Sequence, residues 1–186
     1  LPIHAAPSIT PFVDAKGQAT VALARDGKAL EPIVISPKAS DDTKTNAADL
    51  ADYLKRITGA PFEVRTGDGK SGIVLGNLKE FPNPALDRPL HIRDHYNGLE
   101  AFSIRTQPNR VLLIGATDLG AAHAVWRFLE LLGHRRFFPH PNWDIVPHTP
   151  QLSVSFQEDS RPDFLSRRIW YGFGVAPAEM AQAGFQ

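Results

Sequence analysis

NRVLLIGATDLGAAHAVWRFLELLGHRRFFPHPNWDIVPHT, residues 109–149, decides how this chain is built. It reads as a buried strand, a tight Gly-containing turn, an amphipathic helix, a short aromatic strand and a Pro-rich exit. Val111, Leu112, Leu113 and Ile114 form a continuous apolar run, so both faces of that strand should be covered. Gly115 ends it, and Thr117 or Asp118 can cap the next helix. Ala121, Ala122, Val125, Phe128, Leu129 and Leu132 recur at helical spacing and give that helix one apolar face. Gly133 stands where a left-handed residue is wanted after the helix. Residues 135–138 resume as a strand, and Pro139, Pro141 and Pro147 forbid further regular structure.

Working outward, residues 1–16 read as an extended arm. Residues 19–24 and 32–35 are strand-like, separated by the Asp26-Gly27 turn signal. A polar run over 36–45 offers Thr43 and Thr45 as caps for a helix predicted over 46–58. Its buried stripe is Ala47, Leu50, Ala51, Leu54 and Ile57, and Gly59 stops it. A short strand follows at 62–65, then a turn at Gly67-Asp68-Gly69, then a second doubly apolar strand at 72–76 carrying Ile73, Val74 and Leu75. Residues 77–98, with three prolines and several charges, suit an irregular surface excursion. Residues 100–106 alternate and predict a half-exposed strand, turned at 107–109 into the strand at 110–114. The order predicts an α+β fold, a mixed sheet with two helices packed on one face. If both helices cover one side, loops or another domain must cover the other.

Composition fits an ordinary soluble globular chain, with 42% hydrophobic and 22% charged residues in 186. Zero net charge removes any field argument for nucleic acid or an anionic membrane surface. No run approaches the length of a membrane helix, and no secretory apolar core is visible. The first residue is Leu1 rather than Met, and an N-terminal segment is expected to have been removed. Without cysteine there can be no disulfide or thiolate metal site, which leaves the compartment open.

Several clusters invite chemical readings. His134, His140 and His148 lie near Asp144, but their spacings match no helical pair or ligand loop, and ordinary surface histidines are the better reading. No metal and no cofactor is expected. His123 belongs at the boundary of its helix. GATDLGAA, residues 115–122, resembles a strand-to-helix anion turn but lacks the dinucleotide fingerprint and the P-loop Lys. Gly115 and Gly120 are better read as permitting close helix–sheet packing. The basic and aromatic residues Arg135, Arg136, Phe137, Phe138 and Trp143 are too few for a nucleic-acid surface, and the aromatics suit a core edge or an interdomain seam. Glu158 and Asp159 are neighbours on an extended segment, so they point apart and make a poor catalytic pair. Residues 161–186 carry Arg and aromatics without a closing element. Trp170, Tyr171 and Phe173 either pack back on the domain or begin a sugar-binding cleft, where rings stack and Arg forks grip hydroxyls.

The phrases LADYLKRITGAPFEV, IVLG, the long run from GLEAFSIR to DIVP, and RPDFLSRR resemble the N-terminal α/β domain of beta-N-acetylhexosaminidases and alpha-glucuronidases. The same domain occurs in related bacterial glycosidase-like proteins of unassigned function. Gly115, Thr117, Gly120, Phe128, Leu129, Glu130, Gly133, Arg136, Pro139, Val146 and Pro147 fit the family phrase. Phe137 keeps an aromatic ring where Trp is usual, whereas His123 and Ala124 replace a Tyr-Gly pair. The resemblance spans about residues 30–170 and is more specific for the domain than for any activity. It implies a non-catalytic sheet with two roughly parallel helices, packed against a following (β/α)8 barrel that holds the catalytic acids.

By the same match, 1–29 is an arm with a first strand, 30–160 the accessory domain, and 161–186 a linker leading into the barrel. The PxFxxR phrase at 162–167 would open the first barrel strand at 164–171. Arg167, Arg168 and Trp170 are then the substrate-binding candidates, with no catalytic residue in this chain. The expected role is support of the barrel of the same parent chain, a secreted or periplasmic protein acting on carbohydrate, with neither nucleic acid nor membrane as partner. Two alternatives are a free-standing carbohydrate-binding module using Trp143, Trp170 and Tyr171, and a self-associating domain pairing through an uncovered sheet face.

Overall fold

The computed structural model of the chain describes residues 19–93, 98–137 and 141–163. The chain forms β1 (Val21–Arg25), β2 (Lys28–Ala29), β3 (Ile33–Ile35), α1 (Asp41–Thr58), β4 (Val64–Thr66), β5 (Gly72–Asn77), β6 (Phe102–Gln107) and β7 (Arg110–Gly115). It continues through α2 (Asp118–Leu131), β8 (Arg135–Arg136), β9 (Asp144–Ile145), β10 (Leu152–Val154) and β11 (Gln157–Ser160). Six strands make a mixed sheet in the order β11-β6-β7-β5-β3-β4. Its β7-β5-β3-β4 part is parallel, while β6 and β11 run antiparallel to their neighbours on the other side. Two smaller sheets flank it, β10-β1-β2 and the β8–β9 pair. The architecture is the predicted α+β class.

Side-chain alternation divides the core in two. On β5 and β7, Ile73, Leu75, Val111 and Leu113 point to one side and join the stripes of both helices: Ala47, Leu50, Leu54 and Ile57 from α1, and Ala121, Val125, Phe128 and Leu129 from α2. Both helices start at the carboxyl ends of parallel strands, so they run in the same direction on that face. Val21, Leu23, Leu152 and Val154 of the small sheet share this core. Phe156 meets Phe128 edge to face, with ring centroids 5.8 Å apart.

The second face is closed by the chain itself. Val74, Leu112 and Ile114 pack with Leu86, Leu90 and Ala101, and Leu78 and Phe81 lie against them. These residues come from the segment between β5 and β6, expected to be a surface excursion. A short 3₁₀ turn over Pro84–Leu86 anchors it, capped by Asn83, whose Oδ1 accepts from Ala85 N at 3.2 Å. Leu86 is fully buried. The uncovered sheet face that would have supported self-association is thus already covered. The same cover changes β6. Ser103 and Ile104 are both fully buried although they point to opposite sides, so the strand is not half-exposed.

Helix α1 starts five residues before the expected 46. Ser40 is the cap, its Oγ accepting from Thr43 N at 3.1 Å, and Asp41 and Asp42 favour the positive helix end. That first turn is solvated, and the apolar periodicity that marks the helix in the sequence starts only at Ala47. Gly59 closes the helix in the left-handed region at φ 77, with its N–H donating to Lys55 O at 2.7 Å. Asp26 and Gly27, at φ 50 and 73, make the tight β1–β2 turn.

Candidate functional site

Below the helix C-termini, Asp144 collects three donors. Arg56 Nη2 donates to Oδ2 at 2.7 Å, Tyr53 Oη donates to the same oxygen at 3.2 Å, and His134 Nε2 lies 2.6 Å from Oδ1. The side chains of Asp144 and His134 are 9% and 3% exposed. Burial alone would raise the Asp144 carboxyl, but the hydrogen bonds and charges of Arg56 and His134 outweigh it and hold the group below its ordinary value. Aromatic rings enclose the cluster. Tyr53 meets His134 edge to face at 4.6 Å and Trp126 at 5.5 Å, and the Arg56 guanidinium carbon lies 4.6 Å from the Tyr53 ring centre.

This network fixes the β8–β9 pair, in which Arg136 opposes Asp144 and Arg135 opposes Ile145. Arg135 Nη1 donates to the Glu130 and His134 carbonyls at 2.7 and 2.6 Å, and so ties the pair to the end of α2. The outward side carries three exposed apolar side chains beside Arg135. Phe137, Trp143 and Ile145 are 58%, 50% and 52% exposed, and Phe137 N donates to Trp143 O at 3.2 Å. A core edge does not describe Phe137 and Trp143. They stand out on a hairpin whose inner side is locked to both helices.

His134 is therefore no surface histidine. His140 lies outside the described residues and His148 is exposed. No group of three or more metal-ligating side chains occurs among the described residues. His123 is half-buried, its Nε2 3.8 Å from Glu100 Oε2, and burial lowers its pKa. Glu158 and Asp159 do point apart: Glu158 faces Arg127 Nε at 2.9 Å and Asp159 faces Arg105 Nη2 at 2.6 Å. The glycine turn packs as expected. A Cβ on Gly115 would collide with the backbone of Gly120 and Ala121, and one on Gly120 with the Ala101 carbonyl. The Gly120 amide is turned to the Thr117 hydroxyl at 3.4 Å. Arg167, Arg168 and Trp170, with the strand expected over 164–171, lie outside the described residues. What sequence reasoning missed is the meeting of Asp144 with Tyr53 and Arg56. They are 91 and 88 positions apart, and no local pattern signals such a contact.

No protein-family model and no curated protein matches the chain. Among solved structures its fold is similar to part of a novel family GH115 4-O-methyl-alpha-glucuronidase with specificity for decorated arabinogalactans. The TM-score is 0.50 and the identity 16%, over 74% of this chain and 18% of that one. The likeness is one of fold. The chain spans less than a fifth of that enzyme's length.

Proposed function

We propose that the chain is a non-catalytic accessory domain, residues 30–160 in the main, of an exported glycoside hydrolase-like protein, supporting a catalytic barrel that follows it. The observation that carries this reading is the fold shared with a minor part of a much longer alpha-glucuronidase. It is an inference from fold to context, and sequence phrases around Gly115 and Gly133 support it independently. The rigid outward patch of Phe137, Trp143 and Ile145 supports it too, because apolar side chains held on a locked hairpin suit a seam with a neighbouring domain. In that arrangement residues 161–186 lead into the barrel, and Arg167, Arg168 and Trp170 face the carbohydrate.

The test compares this chain with its longer parent protein on 4-nitrophenyl N-acetylglucosaminides and glucuronides. Turnover is expected from the parent only. Hydrolysis by the chain alone overturns the proposal.

The exposed Trp143 beside Phe137 also favours a second reading, a stacking platform for glycans completed by Trp170 and Tyr171. Under it, glycans quench tryptophan fluorescence in the native chain and not in Trp143→Ala. No quenching across a broad glycan panel counts against it.

A further inference from the structure

Strands β3 and β5 are parallel neighbours whose chains leave in opposite directions. After Ile35 the backbone passes to the helix face through α1, and after Asn77 it passes to the other face through the segment that carries Leu86. In open sheets with parallel strands, crevices form at such a divergence, outside the strand carboxyl ends. A cavity of about 480 Å3 lies there, bounded by Ser36, Pro37, Lys38 and Ser40, by Asn77, Lys79 and Glu80, and by Asp118 at the start of α2.

Asn77 organises its polar wall. Its Nδ2 donates to Asp118 Oδ1 at 2.6 Å, and its backbone N donates to Glu80 Oε2 at 3.1 Å. Its Oδ1 accepts from the backbone N of Lys79 and Glu80 at 2.9 and 3.1 Å. Gly76 leaves the room in which the Glu80 carboxylate approaches the strand. Each acid thus has one oxygen fixed by Asn77 and a second with no hydrogen-bond partner among the described residues, while Lys38 and Lys79 line the same crevice with exposed side chains.

The charges on this wall cancel, two lysines against Glu80 and Asp118. The first turns of α1 and α2 already carry Asp41, Asp42 and Asp118 against their positive ends. A free anion meets two carboxylates, and a free cation meets two ammonium groups. What suits the wall is an uncharged molecule with many hydroxyls, which donate to the carboxylate oxygens and accept from the lysines. We propose that this crevice is a binding site for a neutral polyhydroxylated ligand, a sugar of roughly one or two rings by the volume available. The site is distinct from the aromatic hairpin and stands whether or not the chain supports a barrel.

The test is a titration of the nitrogen-15-labelled chain with xylose, glucose, xylobiose and cellobiose, followed by amide NMR. Shift changes are expected at the amides of Ser36, Lys38, Ser40, Asn77, Lys79, Glu80 and Asp118, with half-saturation on the order of 10 mM or tighter. Glu80→Gln keeps an acceptor for Asn77 N and replaces the second oxygen by a donor. It should weaken binding about tenfold, the loss of one charge-assisted hydrogen bond, while the remaining spectrum stays unchanged. Trp143→Ala should leave the titration as it is. The proposal is overturned if none of the four sugars shifts these amides. It is equally overturned if the changes centre on the Trp143 indole, or if glucuronate, phosphate or glycine binds the crevice better than the neutral sugars.

Discussion

Asp144 accepts from Arg56, Tyr53 and His134 in a corner closed by Trp126, and its removal would leave three polar groups facing each other without an acceptor. Asp144→Ala is expected to cost about 3 kcal/mol, the lower end for breaking a buried pair, because Arg56 keeps a 40% exposed side chain. Denaturant unfolding measures it. The pH dependence follows from the depressed carboxyl. Its folded value lies below the ordinary 3.8, so its stabilisation is present above that value and is lost as the pH falls through the folded value. Wild type should therefore lose stability relative to Asp144→Asn below about pH 4, and equal acid slopes in the two proteins would remove the assignment. Gly115 is a residue of a different kind, required for space rather than for dihedral freedom. Gly115→Ala forces a methyl into the backbone of Gly120 and Ala121, and about 3 kcal/mol or more of lost stability is expected. A melting temperature within a degree or two of wild type would contradict that.

At the scale of elements, the segment between β5 and β6 behaves as a layer without being a helix or a strand. Leu86→Ala should destabilise by about 3 kcal/mol as a core truncation does. Leu119→Ala, at a half-exposed position of α2, should change stability by less than about 0.5 kcal/mol in the same denaturant series. The contrast explains what the sequence made legible. Strands β5 and β7 announce themselves because they are apolar on both faces, and α2 because its apolar residues recur at helical spacing. Leu78, Phe81, Leu86 and Leu90 follow no period and are interrupted by Pro82, Pro84 and Pro89. Nothing local distinguishes them from a solvated loop. The missing cover was in plain view of composition and invisible to periodicity. The start of α1 was missed for a related reason, since a capped and charged first turn buries little.

At the scale of the molecule, the candidate sites depend on contacts that sequence order conceals. Asp144 meets α1 because two helices and a short strand pair converge on it, and the crevice exists because β3 and β5 diverge. His134 and Asp144 were singled out for their residue types, and their pairing needed the fold. Topology also separates the two surfaces. The crevice lies at the carboxyl ends of the parallel strands, and the aromatic hairpin lies past the carboxyl ends of the helices, so a ligand on one leaves the other free.

The pairing of β1 sets the order in time in which the fold can close. Val21 pairs with Val154 and Ala24 with Leu152, so β1, which has β2 beside it at once, meets β10 only after nearly all the described chain exists. At roughly 5–20 residues per second a ribosome leaves β1 waiting on the order of ten seconds. During that interval Val21 and Leu23 lack their β10 neighbours, and closing the long loop that joins the two strands carries an entropic cost before any contact rewards it. The β1–β10 pairing is then a late event, and it completes the cover over a core whose parallel strands and helices are already made.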